Sequence, residues 1–413
     1  MKNYNVIIVG AGPAGLLAAG RAAELGAKVL VLEKMSSEGR KLLITGKGRC
    51  NITNAAPISE FITHVFPNGK FLRNAFSQFF SKDIIDLLEK YGVDVTLERG
   101  GRYFPTSNKA SDILEALLKW VHEWSVQIQC SQRVEKILVE DRVIRGVKSN
   151  GKELQVSNVI IATGGKSYPA TGSTGDGYEL ARQVGHKIEK PIPALVPVET
   201  KGNIAQKLQG LNLKNVKAVV WINGKKAGEA FGEMIFTHFG LSGPIILTLS
   251  RIMVKAIQQG EKVEVTVDLK PTLDEQKLDN RLQRDLNEQG KKQLNNIFRS
   301  WLPASMIPDF IEELELDGEK SCHQVSGKER KKIRHLMKNM RFEVSHNRSF
   351  KEAIITAGGV LTSEINPKTM ESKLISGLFF AGEVIDLDAE TGGYNLQIAY
   401  STGWLAGNSV QTQ

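Results

Sequence analysis

The chain opens on a short apolar run, a glycine-rich turn, a helical pattern and a second apolar run. Val6 to Val9 is a β-branched stretch, typical of a strand that is buried on both faces. Gly10-Ala11-Gly12-Pro13-Ala14-Gly15 follows at once, and the Ala- and Leu-rich stretch after it predicts a helix that ends at Gly26. Lys28 to Leu32 predicts a second strand, which carries Glu33 at its end. The pattern therefore predicts a β-α-β unit.

The turn in this unit has the spacing G-x-G-x-x-G, which suits a dinucleotide. Gly10 allows the tight turn, Gly12 lets the backbone approach a pyrophosphate, and Gly15 lets the helix pack closely on the strand. The helix N-terminus carries free N–H groups and a partial positive charge that can hold the phosphates. Glu33 lies 18 residues past Gly15, where it can accept from the ribose hydroxyls of the adenosine half. A plain β-α-β unit without a ligand is the alternative interpretation.

After Glu33 the chain enters a basic loop from Gly39 to Asn54, with three glycines and four cations. Such a loop can lay amide donors and cations along a diphosphate or the rim of a flavin. A solvated basic loop is the alternative. Its position directly behind a dinucleotide motif favours the ligand.

The middle of the first half alternates helical and strand patterns. Apolar residues at helical spacing predict one helix from Phe71 to Tyr91 and another from Ser111 to Trp124, with Ser111 as its N-cap. Turns at Glu140-Asp141 and Asn150-Gly151 then separate short strand-like runs and predict an antiparallel meander. The four runs are Val126 to Cys130, Arg133 to Val139, Val143 to Ser149 and Glu153 to Ala162.

In the second half of the chain the residue pattern changes, and the last segment is predicted to belong to the first domain again. Prolines between Pro191 and Pro197 indicate an exit from the first domain, and a small barrel or sandwich of antiparallel strands follows. Its strands are predicted at Val216 to Ile222, Lys225 to Phe236 and Lys262 to Leu269. The predicted division is residues 1–192 with 353–413 for the first domain, 193–271 with about 341–352 for a small β domain, and 272–340 for a helical insert.

Composition limits the number of domains, the class of protein and the kinds of site that the chain can contain. The 413 residues are enough for two or three domains, and the 41% hydrophobic and 24% charged contents are those of a soluble globular protein. No apolar run reaches the ~20 residues of a membrane span, and the start lacks a signal peptide, so we expect a cytoplasmic protein with no membrane partner. Cys50, Cys130 and Cys322 lie far apart without a C-x-x-C pair, which disfavours disulfide chemistry and a zinc site.

The net charge of +9 allows a polyanionic partner without requiring one. Its densest basic run lies near the end of the helical insert and is opposed mainly by Glu329. A solvated helix face and an RNA-facing surface both fit this pattern, and no RRM, KH or zinc-knuckle signature supports the second. The run consists of Lys328, Arg330, Lys331, Lys332, Arg334, Lys338 and Arg341.

The order β-α-β, meander, and a strand ending in Ala162-Thr163-Gly164-Gly165 resembles FAD domains of the glutathione-reductase type. The resemblance implies that Val134 presents its backbone to adenine and that Ala162 to Gly164 pass near the FAD. Gly392-Gly393-Tyr394-Asn395-Leu396 opens a last helix whose N-terminal amides can face the pyrimidine edge of the flavin and stabilise its reduced anion. Glu383 or Asp386 would hold ribityl or phosphate-side hydroxyls, with a surface carboxylate as the alternative for Glu383.

The whole chain closely resembles the BaiN/RdsA-type family of NAD(P)/FAD-dependent oxidoreductases. The resemblance implies an α/β fold in which a glutathione-reductase-type, Rossmann-like FAD domain is split by a small β-barrel-like domain and a helical domain. It also implies FAD reduced by NAD(P)H, and members reduce C=C bonds, including those of an unsaturated steroid acid and of a uridine in ribosomal RNA. The motifs that carry it are the opening G-A-G-P-A-G, Gly39 to Asn54, Thr237 to Pro244, Ala357 to Val360, Thr369 to Lys373 and Phe380 to Gln397.

The family's D-V-D-G-type spacing after G-E-V is replaced here by the run from Asp386 to Thr391, which leaves the role of each acid open. No second strand–GxGxxG–helix unit is present, so we expect transient nicotinamide docking rather than a dedicated NAD(P)H domain. The residues that we predict to bind FAD are Gly10, Gly12, Pro13, Ala14, Gly15, Glu33, Lys34, Arg40, Lys41, Gly46, Gly48, Arg49, Cys50, Asn51, Val134, Ala162, Thr163, Gly164, Gly382, Glu383, Asp386, Gly393, Tyr394, Asn395 and Leu396.

Reduction of an alkene also needs a proton. His238 is the predicted donor, with a structural histidine as the alternative, and Cys50 is a second candidate, with a buried structural thiol as the alternative. The leading hypothesis is a reductase of an activated C=C bond, with a uracil base in ribosomal RNA as substrate. A small-molecule flavin reductase or oxidase acting on an alkene, amine or ketone, and a flavin-bearing RNA-binding or redox-sensing module without turnover, are the alternatives.

Overall fold

The computed structural model of this protein describes residues 4–410. The strands are β1 (Val6–Val9), β2 (Val29–Leu32), β3 (Thr53–Asn54), β4 (Val65–Phe66), β5 (Val95–Glu98), β6 (Arg102–Pro105), β7 (Gln127–Gln129), β8 (Val134–Glu140), β9 (Val143–Ser149), β10 (Lys152–Gln155), β11 (Asn158–Ile161), β12 (Ile192–Ala194), β13 (Val198–Thr200), β14 (Asn212–Ile222), β15 (Lys225–Thr237), β16 (Gly240–Ser242), β17 (Val263–Asp268), β18 (Met340–Asn347), β19 (Ile355–Ala357), β20 (Leu378–Phe380) and β21 (Asp388–Ala389). The helices are α1 (Pro13–Glu24), α2 (Arg40–Ile44), α3 (Ile58–Phe61), α4 (Arg73–Gln78), α5 (Ser81–Lys90), α6 (Ala110–Glu123), α7 (Asp176–Gln183), α8 (Ile204–Lys207), α9 (Pro244–Gln258), α10 (Glu275–Glu288), α11 (Leu294–Trp301), α12 (Ile307–Leu314), α13 (Gly327–Lys338) and α14 (Tyr394–Asn408).

The chain forms two compact units. The first runs to Pro193 and resumes at Phe350, and the second runs from Ala194 to Ser349. No helix within residues 4–410 combines the length and apolar character needed to cross a membrane. The three-part division drawn from the sequence stays a prediction, and each unit is described below by itself.

A five-stranded parallel sheet forms the centre of the first unit. Its order is β20-β11-β1-β2-β7, so the strand order reverses between β1 and β11. Every residue of β1, β2 and β11 is buried, and this burial explains their continuous apolar runs. In open sheets of this kind, ligands bind beyond the carboxyl ends of the strands at the point of reversal. The candidate site is therefore expected where β1 and β11 end.

The first and last helices of this unit pack closely through two glycines. A Cβ on Gly403 would overlap the carbonyl oxygen of Ala14, and one on Gly407 would overlap that of Ala18. Since both pairs advance in the same direction, α1 and α14 run parallel. Tyr394 begins α14 nine residues before the level of Ala14, roughly 13 Å at 1.5 Å per residue. Two helix N-termini thus follow one another along the same edge of the unit.

The second unit contains a closed six-stranded barrel of order β13-β16-β15-β14-β17-β18, which resolves the sequence alternative of a barrel or a sandwich. The helices of residues 272–340 share one hydrophobic core with it, in which Val265 of the barrel and Phe298 and Met337 of the helices are buried together. Helix α9 was not predicted; it begins at Pro244 and buries an apolar face against the barrel.

Several predicted elements differ in detail. The single helix predicted from Phe71 to Tyr91 is two helices, because Phe79 is extended and α5 starts afresh when Asp83 accepts a 2.6 Å hydrogen bond from the Phe80 N–H. The N-cap of α6 is Lys109 rather than Ser111. The predicted meander holds only β8, β9 and β10, since β7 joins the parallel sheet.

Candidate cofactor site

The three glycines of the turn after β1 lie in different environments. A Cβ at Gly10, whose φ is +104°, would lie 2.7 Å from the Ala162 oxygen, and one at Gly15 would overlap the oxygen of Gly10. Gly12 has no atom within 4 Å of such a Cβ, although it is the N-cap of α1. Gly10 and Gly15 are therefore required by packing, whereas Gly12 borders open space in front of uncapped N–H groups. A pyrophosphate fits a cradle of this kind.

Glu33 lies beside this turn. Its Oε2 accepts from the Ala11 N–H at 2.8 Å and its Oε1 accepts from the Met35 N–H at 2.9 Å. Each oxygen keeps a second lone pair, so the carboxylate can still accept from ribose hydroxyls. The Gln132 N–H donates to the backbone carbonyl of Glu33 at 2.8 Å, which places the segment that leads into Val134 and β8 beside the main chain of Glu33.

Lys34 is bound by the glycine-rich segment that precedes α7. Its ammonium donates to Thr174 and, at 2.9 Å, to Asp176. Burial opposes ionisation of Asp176, but the hydrogen bonds from Lys34 and Thr174 hold the pKa of that carboxyl below its ordinary value. Lys34 therefore fastens two loops at the sheet edge, a role that spacing did not predict.

The basic loop begins with a short helix rather than the irregular loop expected. Gly39 donates to the Ala11 oxygen at 3.0 Å, so α2 starts next to the dinucleotide turn. Arg40 is half-buried and has no hydrogen-bond or ion-pair partner within residues 4–410, so its guanidinium is free to bind a phosphate. Lys41 donates at 2.6 Å to both Ser167 Oγ and Glu383 Oε2.

Glu383 joins three segments at the carboxyl edge of the sheet. Its Oε1 accepts from the Thr356 N–H at 2.8 Å and from Ser167 Oγ at 2.9 Å, while Oε2 accepts from Lys41. The side chain is only 20% exposed, so the alternative of a surface carboxylate is wrong. Oε2 retains an acceptor site for a hydroxyl. Asp386, three residues on, is buried.

The residues that follow strands β11 and β20 approach the dinucleotide turn closely. Gly382, at φ +74°, donates to Thr402 Oγ1 at 2.9 Å, and a Cβ there would lie 2.8 Å from that of Ala14. Ala162 is buried and donates to Val9. A Cβ on Gly164 would lie 4.0 Å from Glu383 Oε2. The residues after β11 and β20 that we predicted to bind FAD therefore share one edge with the G-x-G-x-x-G turn. Thr163 belongs to this group, since it lies between Ala162 and Gly164.

The end of the basic loop is fastened to the start of α14. With its amide turned so that both ends find partners, Asn51 accepts from the Gly393 N–H at 3.0 Å and donates to the Thr53 oxygen at 3.2 Å. Thr53 Oγ1 donates to Gln397 at 2.7 Å, and Asn54 donates to the Gly392 oxygen at 2.9 Å. Thr53, Asn54 and Gln397 are buried. Two segments that lie some 340 residues apart thus form one wall.

The N-terminus of α14 is left open by this arrangement. Gly393 is its N-cap at φ +95°, and no side chain caps the helix, so the first N–H groups remain available to a ligand. Asn395 holds the preceding turn by bonding Ala389 N and O at 2.9 and 2.8 Å, and Leu396 packs against the core. Tyr394 stacks at 4.6 Å on His64.

The Arg49 guanidinium is engaged by neighbouring side chains. Its guanidinium lies 4.2 Å from the Phe104 ring centroid and pairs with Glu98. Gly46 and Gly48 take φ of +57° and +86°, which the tight bend before Arg49 requires. The cation count of the loop therefore overstates what it offers to a phosphate.

Cys50 is fully buried, and burial raises the pKa of its thiol from 9.0 to about 12, against a hydrogen bond with Thr45 that lowers it. At pH 9 about one folded molecule in a thousand should carry the thiolate, compared with about half of the unfolded chains. Because the unfolded chain loses this proton first, the group should destabilise the fold as pH rises from 9 to 12.

We therefore expect iodoacetamide at pH 9 to leave Cys50 unmodified in the native protein and to alkylate it in urea, as read by peptide mass spectrometry. Cys130, which is partly exposed, is the internal reference. Native labelling of Cys50 at the rate of Cys130 would contradict the prediction. The geometry favours a structural thiol over a proton donor.

His238 belongs to the second unit, at the turn between β15 and β16. Its ring is exposed, packs edge-on at 4.9 Å against Phe239, and has no hydrogen-bond partner within the described residues. Thr237 Oγ1 holds the turn by accepting from the Gly240 N–H at 3.1 Å. The alternative of a histidine bonded to local backbone is therefore not observed.

Several residues that hold the site together were not predicted from the sequence. Thr356 interrupts an apolar strand, and Thr53 and Asn54 form a buried polar pair. Polar side chains inside buried runs are the signal that could have revealed them, because a buried polar group needs a partner. Gln397, buried on α14, is of the same kind.

Comparison with known proteins adds to this geometry. A family model described as "HI0933-like protein Rossmann domain" matches residues 4–409. The chain is 31% identical over 407 residues to the 3-dehydro-bile acid delta(4,6)-reductase of Clostridium scindens, covering 98% of each protein. It is 30% identical over 408 residues to the ribosomal RNA dihydrouridine synthase of Escherichia coli, covering 98% of this chain and 97% of that protein. The solved Sdh1 complex of Mycobacterium smegmatis matches with a TM-score of 0.52 at 19% identity, over 99% of this chain and 68% of that one, a likeness of fold alone.

Proposed function

From the premise that this chain belongs to the HI0933-like Rossmann family of BaiN/RdsA-type flavoproteins, we propose that it uses NAD(P)H to reduce an activated C=C bond. The chain is an enzyme and a FAD-dependent oxidoreductase, as its relatives indicate. A flavin-bearing module without turnover is therefore set aside. NAD(P)H as electron donor and the identity of the alkene are the proposed parts.

The observation that carries the proposal is the pair of uncapped helix N-termini on one edge of the first unit. Open space at Gly12 suits a pyrophosphate, and the start of α14, roughly 13 Å further on, suits the flavin ring. When bound, FAD supplies hydride transfer. The chain's own residues supply the rest: Arg40 neutralises phosphate, Glu33 and Glu383 accept from hydroxyls, and the α14 amides favour negative charge on the ring.

We propose uridine in ribosomal RNA as the substrate. The relatives named as ribosomal RNA dihydrouridine synthases and the net charge of +9 both favour a polyanionic substrate. The enzyme would have to take the base out of its stack before reduction. A cytoplasmic location is part of this proposal, because ribosomal RNA is the proposed substrate.

A small-molecule alkene is the second candidate. The relative named as a bile acid reductase is as similar to this chain as the RNA-acting ones. Under this alternative the positive charge is incidental, and an uncharged or carboxylate-bearing enone would be reduced. His238 stays the proposed proton donor in both cases, because its ring is exposed and unbonded and an imidazole can supply a proton near neutral pH.

The test is a reconstitution with undermodified ribosomal RNA from a strain that lacks the gene. We expect NAD(P)H to bleach the bound flavin under anaerobic conditions, and the RNA to restore the oxidised spectrum while one uridine becomes dihydrouridine, mapped by mass spectrometry. A steroid enone serves as the competing acceptor. Reoxidation by the enone but not by the RNA would overturn the RNA substrate and support the second candidate.

The variant His238→Gln tests the proton-transfer step independently of hydride transfer. We expect flavin reduction by NAD(P)H to be unchanged and substrate reduction to fall about 100-fold, the usual size of a general-acid contribution. The measurement is stopped-flow absorbance of each half-reaction. His346, on β18 of the same unit, offers the matched His→Gln control. Equal rates in all three proteins would remove His238 from the mechanism.

A further inference from the structure

Helix α13 carries its basic residues on two faces with different surroundings. On the inner face, Arg330 Nε and Arg334 Nη1 lie 3.2 and 3.1 Å from Asp279 Oδ1 of α10. Lys338 pairs with Asp268 at the end of β17. These three cations are half-buried and neutralised within the unit, so the expectation that Glu329 mainly opposes the basic run is wrong.

The acid on α13 itself is also fully used. Glu329 accepts from the Ser326 N–H at 2.8 Å in a capping box and from Lys320 at 2.7 Å. The hydrogen bonds from Lys320 and Ser326 lower the pKa of Glu329 to about 2. Because its oxygens already face Ser326 and Lys320, this carboxylate cannot neutralise lysines on the outer face.

On the outer face, Lys328 and Lys331 are exposed and have no ion-pair partner within residues 4–410. Lys332 approaches Glu315 only to 3.8 Å, with both side chains mostly exposed. A contact of that kind contributes little, because water screens it. The outer face therefore keeps most of its positive charge.

A second pair of lysines lies beside the start of this helix. The Cys322 N–H donates to the Lys292 oxygen at 2.9 Å and the His323 N–H to the Gly290 oxygen at 3.0 Å, so the turn at residues 290–292 lies alongside the segment that leads into α13. Lys291 and Lys292 are exposed and unpaired within the described residues. We define Lys291, Lys292, Lys328 and Lys331 as the outer lysine stripe. The acidic segment 312–319 belongs to the end of α12 and the turn that follows it.

We propose that the outer lysine stripe binds the phosphate backbone of an RNA. The inference rests on the proposed function and adds the surface that holds the substrate. The second unit carries 25 Lys and Arg against 19 Asp and Glu, so +6 of the chain's +9 lies there. Exposed lysines act on phosphates as point charges, without reading sequence, and are released by salt. Arg330, Arg334 and Lys338 are structural and lie outside this surface.

The test compares two triple variants of the FAD-loaded enzyme that remove equal charge. One is Lys291→Gln with Lys328→Gln and Lys331→Gln. The control is Lys214→Gln with Lys225→Gln and Lys255→Gln, three exposed lysines of the same unit without ion-pair partners within the described chain. Binding of deproteinised ribosomal RNA is measured by filter retention over a range of salt concentrations.

We expect the stripe variant to bind roughly 10- to 50-fold more weakly and its plot of log affinity against log salt to be shallower by about 2, as three lost phosphate contacts predict. The control should change less than about threefold. Equal losses in both variants would overturn the stripe in favour of overall charge. Unchanged RNA binding with lost binding to phosphatidylglycerol vesicles would overturn it in favour of a membrane surface.

Flavin reduction by NAD(P)H distinguishes failure of the lysine stripe from failure of the proposed RNA substrate. The stripe lies outside the cofactor site, so both variants should reduce their flavin at the wild-type rate. If wild-type enzyme reduces flavin but binds no RNA, the proposed RNA substrate fails together with the stripe. If wild-type enzyme binds and modifies RNA while the stripe variant does so equally well, only the stripe is overturned.

Discussion

Gly12→Ala should leave a folded protein that cannot hold FAD. The N-cap backbone at this position has φ −82° and ψ −177°, which alanine adopts without strain, and the added methyl meets no protein atom within 4 Å. It would instead occupy the space that the pyrophosphate needs against the N–H groups of α1. We expect the FAD dissociation constant to rise at least about 100-fold, or about 2.7 kcal/mol. Equilibrium dialysis with apoprotein measures it.

Two other glycines make this result specific. Gly327→Ala adds a methyl in equally open space at the start of α13 and should change neither FAD affinity nor melting temperature. Gly15→Ala should fail differently, because its methyl would overlap the oxygen of Gly10 and destabilise the apoprotein itself. Unaltered FAD binding by Gly12→Ala would show that the cofactor does not pass this turn.

Glu383→Ala should destabilise the first unit and weaken FAD binding together. The change leaves the Lys41 ammonium without its carboxylate and removes the acceptor of the Thr356 N–H and of the Ser167 hydroxyl. Unpaired groups of this kind cost about 1–3 kcal/mol each when buried, and part of the site is solvated, so we expect a loss of about 2–4 kcal/mol. Urea unfolding of the apoprotein measures the stability.

Lys82→Ala provides the control for the broken ion pair. Lys82 pairs with Asp86 on α5, but the two side chains are 83% and 52% exposed, and water screens such pairs so that they contribute little to stability. Glu383→Gln keeps the shape and one acceptor oxygen, so it should fall between the wild type and the alanine variant. A loss from Glu383→Ala no larger than that from Lys82→Ala would contradict the role of Glu383 as a junction.

Local pattern was sufficient for the fold class, which the family match and the parallel sheet confirm. β1, α1 and β2 follow directly from apolar period and glycine placement, because each is fixed by neighbours in sequence. The positive φ at Asn150 and Gly151 likewise agrees with the hairpin that an Asn-Gly pair predicts. Elements of this kind need no information from distant residues.

Partners across the chain could not be deduced in this way. Nothing in the spacing of Lys41 or Asn51 indicates that they bond residues 383 and 393, since that pairing depends on how the sheet and α14 come together. The same limit misled the interpretation of the basic run, whose inner cations find Asp279 about fifty residues away. The net charge of a stretch of sequence reflects only residues that are adjacent in order. The neutralisation of a side chain depends instead on the residues that surround it in the folded protein.

The close fit of Gly403 and Gly407 on α1 means that α1 cannot complete its packing until α14, which lies far along the chain, has also been synthesised. A nascent chain can complete the barrel unit, which is continuous, well before the wall that carries Gly393 has been synthesised. Cofactor loading should therefore be a post-translational event, and truncated chains that end before Tyr394 should accumulate as colourless, protease-sensitive species.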